Sequence, residues 1–127
     1  MAIYLLDTNI LIHMLRGEER SVRLVRSLLE AGHTLATCGI VAAEVYSGMR
    51  PKDAQATKQL LRSLRWFDMD AGVAEGAGFM RRDFSAKGIT LSLADCLIAS
   101  VSMVNGATLV TENVRDFPAK GLVVLGV

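Results

Sequence analysis

Cysteine is scarce in this chain, and its two copies, Cys38 and Cys96, lie far apart and in no CxxC pair. A disulfide scaffold and a redox motif are therefore not indicated, and both residues read as small buried hydrophobes. A long apolar run is missing too. The longest useful uncharged stretch, Cys96 to Thr111, is broken by Asn105-Gly106, whereas a membrane span needs roughly 20 continuous apolar residues. The N-terminus lacks a basic leader, carries Asp7 inside its apolar run and shows no clear small-residue cleavage site. It does not read as a signal peptide, and the cytoplasm is the expected location. Neither sign of charge is in excess: 14 basic and 13 acidic residues leave a net +1. That argues against a nucleic-acid binder working by bulk charge, but leaves room for an enzyme with a local basic rim. The two histidines, His13 and His33, have no motif context, and no Ser-His-Asp or Cys-His arrangement is present.

What the chain does have is apolar content. Its 127 residues fit one domain, residues 1–127, long enough to bury a core of its own. The hydrophobic fraction is 51% and the mean hydropathy is +0.35, so another chain is expected to cover some of that surface.

Ile3–Leu6 reads as a buried strand, with Thr8-Asn9 positioned to cap a helix over Ile10–Leu15 that ends near Gly17. Val22, Val25, Leu28 and Leu29 recur at helical spacing from Glu19 to Ala31, where Gly32 stops the helix. Thr34–Cys38 is β-like, Ile40–Met49 is an apolar helix closed by Pro51, and Lys52–Arg65 is amphipathic around Leu60, Leu61 and Leu64. Trp66–Met69 reads as a short extended piece. Val73, Ala77, Met80 and Phe84 mark a helix ended by Gly88, and Ser92 opens another through Val104. Ala107–Thr111 and Leu122–Leu125 are brief strands. Strands alternating with helices imply parallel pairing and an α/β sandwich.

Three acids stand alone in apolar segments. Asp7 is the one formal charge among the first fifteen residues, Glu44 the one between Gly39 and Met49, and Asp95 the one between Leu93 and Val104. A buried carboxylate is costly to ionise unless it is paired, hydrogen-bonded or bound to a metal. In an open parallel sheet, ligands bind beyond the carboxyl ends of the strands. Asp7 follows the first strand, Glu44 and Asp95 lie early in helices, and Thr111, Glu112, Asn113 and Asp116 follow a late strand. Convergent carboxylate and amide oxygens without a His or Cys cluster match a hard cation, Mg²⁺ or Mn²⁺. Blander readings exist for each residue. Ser92-x-x-Asp95 fits a capping box, Glu44 fits a solvated helix position, Asp7 fits a turn, and Glu112 and Asp116 fit loop surface charge.

The stretches "LLDTNILI", "VAAEVYSGM", "LSLADCLIAS" and "TLVTENVRDF" together resemble the PIN-domain ribonucleases, specifically the VapC-type toxins of toxin–antitoxin pairs. Order, spacing and length agree over nearly the whole chain. The resemblance implies a three-layer α/β/α sandwich with a short, mainly parallel sheet, and a Mg²⁺- or Mn²⁺-dependent endoribonuclease acting on RNA. It places Asp7, Glu44 and Asp95 at the main acidic positions, with Asp7 and Asp95 as the chief metal ligands. Asn113 and Asp116 are both candidates for the fourth position, ahead of Glu112. Thr111 and Asn9 resemble polar supports, and Thr8 orders the turn. Arg16, Arg50, Arg82 and Arg115, near these blocks, are possible RNA-backbone contacts. A homodimer and a cognate VapB-type antitoxin, whose C-terminal segment covers the groove, are the implied partners. The rivals are a haloacid-dehalogenase-like phosphatase, which typically carries a second Asp where this chain has Asn9, and a PIN-fold binding module without catalysis.

Overall fold

The computed structural model describes residues 2–127. Five strands, β1 (Ile3–Leu6), β2 (Thr34–Cys38), β3 (Arg65–Phe67), β4 (Thr108–Thr111) and β5 (Val124–Gly126), form one sheet in the order β3-β2-β1-β4-β5. Every pairing among them is parallel; Leu5, for instance, sits between Ala36 and Leu109. Among the described residues, six α-helices connect the first four strands as parallel neighbours require: α1 (Thr8–Leu15), α2 (Glu19–Glu30), α3 (Gly39–Gly48), α4 (Ala54–Ser63), α5 (Ala71–Ala86) and α6 (Leu93–Val104); a 3-10 turn and loop lead from β4 to β5. The result is the expected α/β/α sandwich. Among the described residues, no helix is long and apolar enough to cross a membrane.

Central strands buried on both faces need apolar residues on both, which is why β1 and β4 do not alternate. Leu5, Leu6, Leu109 and Val110 are fully buried, and each such side chain is worth roughly 1.5–3 kcal/mol of burial. Both cysteines are free and buried. Gly32 and Gly106, at φ +84° and +61°, end α2 and α6 in the left-handed region that side chains other than glycine's resist. A further glycine sets the depth of α6. A Cβ on Gly76 would lie 2.6 Å from Ser100 Oγ, so only glycine lets α5 approach α6 this closely. The Ser100 hydroxyl then donates to Val73 O across the contact.

Five local expectations need correction. The cap of α1 is Asp7 itself, whose side chain accepts from the Thr8 N–H, while Thr8 and Asn9 are already helical. The amphipathic stretch from Lys52 to Arg65 is not one helix. Pro51 starts a 3-10 turn over Pro51–Asp53, α4 follows as Ala54–Ser63, and Arg65 has passed into β3. The extended piece expected at Trp66–Met69 is accordingly Arg65–Phe67, and the last strand is Val124–Gly126 rather than Leu122–Leu125. Finally, Leu29 of the α2 stripe is 56% exposed, and Ser21 takes a fully buried place on that helix.

Candidate active site

The strand order reverses direction at β1: β2 and β3 lie to one side, β4 and β5 to the other. The crevice between the carboxyl ends of β1 and β4 is therefore the topological switch point, where open α/β sheets bind ligands. Asp7 sits directly there. Its backbone N–H donates to Val110 O at 2.9 Å, extending the β1–β4 ladder by one bond and locking the residue to the sheet. Its side chain is only 6% exposed.

Both carboxylate oxygens of Asp7 are held. Oδ1 accepts from Thr8 N at 2.8 Å, and Oδ2 accepts from the buried Thr111 hydroxyl at 2.7 Å. Thr111 Oγ1 in turn accepts from Asn113 N at 3.0 Å, which fixes the start of the loop after β4. Across the crevice the Thr8 hydroxyl donates to Glu44 Oε1 at 2.7 Å, so α1 orients the acid of α3. Asp95 lies in the first turn of α6, half-buried, with its N–H donating to the Ser92 side chain at 3.0 Å. The capping role and a place in the site are compatible: the Asp95 amide donates to Ser92 Oγ, and a hydrogen bond from Ser92 also supports the charged form of its carboxylate.

Electrostatics tie four of these groups together. Burial pushes the Asp7 carboxyl above the ordinary carboxylate value; hydrogen bonds from Thr111 and Thr8 pull it back, and the charges of Glu44 and Asp116 push it up again. Asp95 is likewise raised, by burial first, against a lowering hydrogen bond from Ser92 and with further increases from Asp116, Asp7 and Glu44. The exposed Asp116, on a 3-10 turn over Val114–Asp116, is the charge these two carboxyls share from the loop after β4. Asn113 is exposed and contributes its backbone N–H to Thr111. Asn9 is exposed on α1. Among the described residues no lysine or arginine forms an ion pair with Asp7, Glu44, Asp95 or Asp116. Of the arginines near these segments, Arg50 is paired with Asp53, while Arg16, Arg82 and Arg115 are exposed.

The chemistry of this donor set fits a divalent cation. It is all oxygen and acidic, partly buried, and short of compensating positive charge, as a hard ion requires. The four acids nonetheless stand further apart than a second group on the same rim. His13, Glu18 and Glu112 offer ligand atoms that all lie within 4.8 Å of one another, a candidate cation-holding cluster. Nothing local in the sequence brings these residues together: His13 lacks a motif, and Glu112 stands 99 positions away from it. His13 Nδ1 lies 2.7 Å from Glu112 Oε1 and 3.3 Å from Glu18 Oε2. In the tautomer with its proton on Nδ1, the His13 ring is a nitrogen donor to these carboxylates. The acidic four have no such basic partner among the described residues.

Known proteins agree with this architecture. The PIN-domain family profile matches residues 4–121. The ribonuclease VapC2 of Rickettsia felis is 32% identical over 120 residues, covering 91% of this chain and 90% of its own, and the ribonuclease VapC19 of Mycobacterium tuberculosis is 30% identical over 114 residues, covering 90% and 91%. Among solved structures, VapBC2 of Rickettsia felis bound to a promoter DNA fragment superposes with a TM-score of 0.83 at 27% identity, over 98% of each chain. These matches rule against the haloacid-dehalogenase-like alternative. The chain belongs to the PIN-domain family, as a ribonuclease of the VapC toxin type.

Proposed function

We propose that the protein is a Mg²⁺- or Mn²⁺-dependent endoribonuclease whose ion is held chiefly by Asp7 and Asp95, with Glu44 and Asp116 completing the charge. One observation carries the reading: Asp7 ends β1 at the sheet's switch point, and the charges of Glu44 and Asp116 reach both its carboxyl and that of Asp95, with no basic partner among the described residues. When bound, the ion supplies neutralising charge for a scissile phosphate and lowers the pKa of a water.

The chain's own residues do the rest. Thr111 and Thr8 hold Asp7 by both oxygens, so its carboxylate is presented in one orientation. Glu44 has one oxygen occupied by Thr8 and the other available, in a half-buried position suited to accepting the proton of the attacking water. In-line attack leaves a 5′-phosphate and a 3′-hydroxyl, with no covalent intermediate on the enzyme. Exposed apolar side chains, among them Trp66, Phe79 and Val104, fit coverage by a second copy or by a VapB-type antitoxin. The similar solved structures of VapBC2 from Rickettsia felis and of a toxin–antitoxin complex from Klebsiella pneumoniae support the antitoxin. An RNA substrate and a cytoplasmic location complete this reading.

The test is cleavage of total RNA by the purified protein with Mn²⁺, Mg²⁺ or EDTA. Wild type cuts with either ion and not with EDTA. Asp7→Asn and Asp95→Asn each lose more than about 100-fold, the upper end for residues that merely support a metal ligand, while keeping a cooperative thermal transition. Wild-type-like cutting by either variant would refute the ligand set. RNA binding without any cleavage would point instead to a PIN-fold binding module.

A further inference from the structure

A cleft of about 310 Å³ opens on the side of α5 and the loop that leads into α6. Gly78, Arg81, Arg82 and Ser85 line it from one helical face, at spacings of three, one and three, and Thr90 and Leu93 close the other side. Two arginines and two hydroxyl groups make it a donor-rich surface, and no carboxylate is among its lining residues. Arg81 is pre-oriented: its Nε–H donates to Leu91 O at 3.1 Å, which leaves the terminal nitrogens for another partner. Neither Arg81 nor Arg82 has an ion-pair partner among the described residues.

The cleft also adjoins the acids. Leu93, on its wall, is two residues before Asp95 in the first turn of α6, and Arg81 is tied to Leu91 O in the loop that leads into that helix. A chain with net charge +1 has no bulk attraction for a polyanion. Its acidic crevice repels one. A positive, donor-lined cleft beside Asp95 supplies the missing attraction at the place where the strand must pass.

We infer that this cleft binds a backbone phosphate of single-stranded RNA next to the scissile one, with Arg81 and Arg82 as positioning residues. The inference rests on the nuclease reading above. Arg81, tied to Leu91 O, sets the direction of approach, and Arg82 adds charge at the mouth. Gly78 keeps the cleft open, since nothing lies within 4 Å of where its Cβ would be.

The experiment measures kcat, KM and the salt dependence of binding for a short single-stranded RNA carrying a cut site mapped in total RNA. Arg81→Gln and Arg82→Gln each raise KM about tenfold, the value of one charge-assisted hydrogen bond, with kcat within about twofold. The double variant makes the slope of log K against log salt shallower by about 1.4, two single-strand phosphate contacts at about 0.7 each. Arg82→Lys restores most of the lost slope. Gly78→Leu, which fills the cleft without altering charge and replaces glycine by a better helix former, also raises KM and does not lower the melting temperature. Unchanged KM and slope in the double variant would overturn the inference while the nuclease reading stands. So would a fall in kcat at constant KM, or Gly78→Leu binding like wild type, which would reduce the arginines to general surface charge. Failure of the wild type to cut any RNA would remove both readings together.

Discussion

Thr111 and Glu112 are neighbours in the chain and serve clusters of opposite character. Thr111, fully buried, turns inward to Asp7. Glu112, half-buried, reaches His13 of α1. The inner cluster gathers four acids without a basic partner, and the charges of Glu44 and Asp116 help raise the Asp7 and Asp95 carboxyls; the outer one sets two acids around an imidazole nitrogen. Compact geometry alone would favour the outer cluster as the metal centre. Charge compensation reverses that choice. Acids that already share a ring nitrogen partner gain less from an ion than a group that is acidic, partly desolvated and without a basic partner.

The sharpest break of this comparison is Thr111→Val. It removes the donor on Asp7 Oδ2 and the acceptor of Asn113 N together. Loss of such an outer-shell partner is expected to lower activity by about 10- to 100-fold, read as kcat/KM on a mapped RNA site. Next come the two rivals for the fourth acidic position. Asp116 acts on both Asp7 and Asp95, while Asn113 contributes its backbone. Asp116→Asn should cost about tenfold and Asn113→Ala within about threefold, and the reverse order would hand the position to Asn113.

The smallest effect is on stability without metal. The carboxyls of Asp7 and Asp95 are raised in the folded chain, so they favour folding most below the ordinary value of 3.8 and progressively less as pH rises through their raised folded values. In EDTA, Asp7→Asn should melt higher than wild type at neutral pH, and the advantage should shrink as pH falls toward 3.8. Equal melting temperatures at every pH would mean that the burial of Asp7 carries no cost to be relieved.

Much of this was legible in the chain because the signals were local. Apolar periodicity placed the helices, Gly32, Gly88 and Asn105-Gly106 marked their ends, and a lone acid in an apolar segment drew attention to Asp7, Glu44 and Asp95. Where reading went astray, a local rule lost to a neighbour. Thr8 and Asn9 are good cap types, but strand β1 runs straight into the helix and leaves Asp7 as the boundary residue. Leu64 continues the α4 stripe by spacing, yet the chain has already turned extended to bring Arg65 beside Ala36. The His13–Glu112 contact had no sequence signal at all, since 99 positions separate its partners. Arg81 was detectable only in hindsight, as the residue three after Gly78 on the face that meets the α6 entry loop.

Titration of Mn²⁺ into the metal-free protein by calorimetry tests the central claim most directly, using wild type, Asp95→Asn and His13→Gln. The account predicts that wild type and His13→Gln bind the ion alike and that Asp95→Asn does not. Binding retained in Asp95→Asn and lost in His13→Gln would move the metal centre to the outer cluster and contradict it.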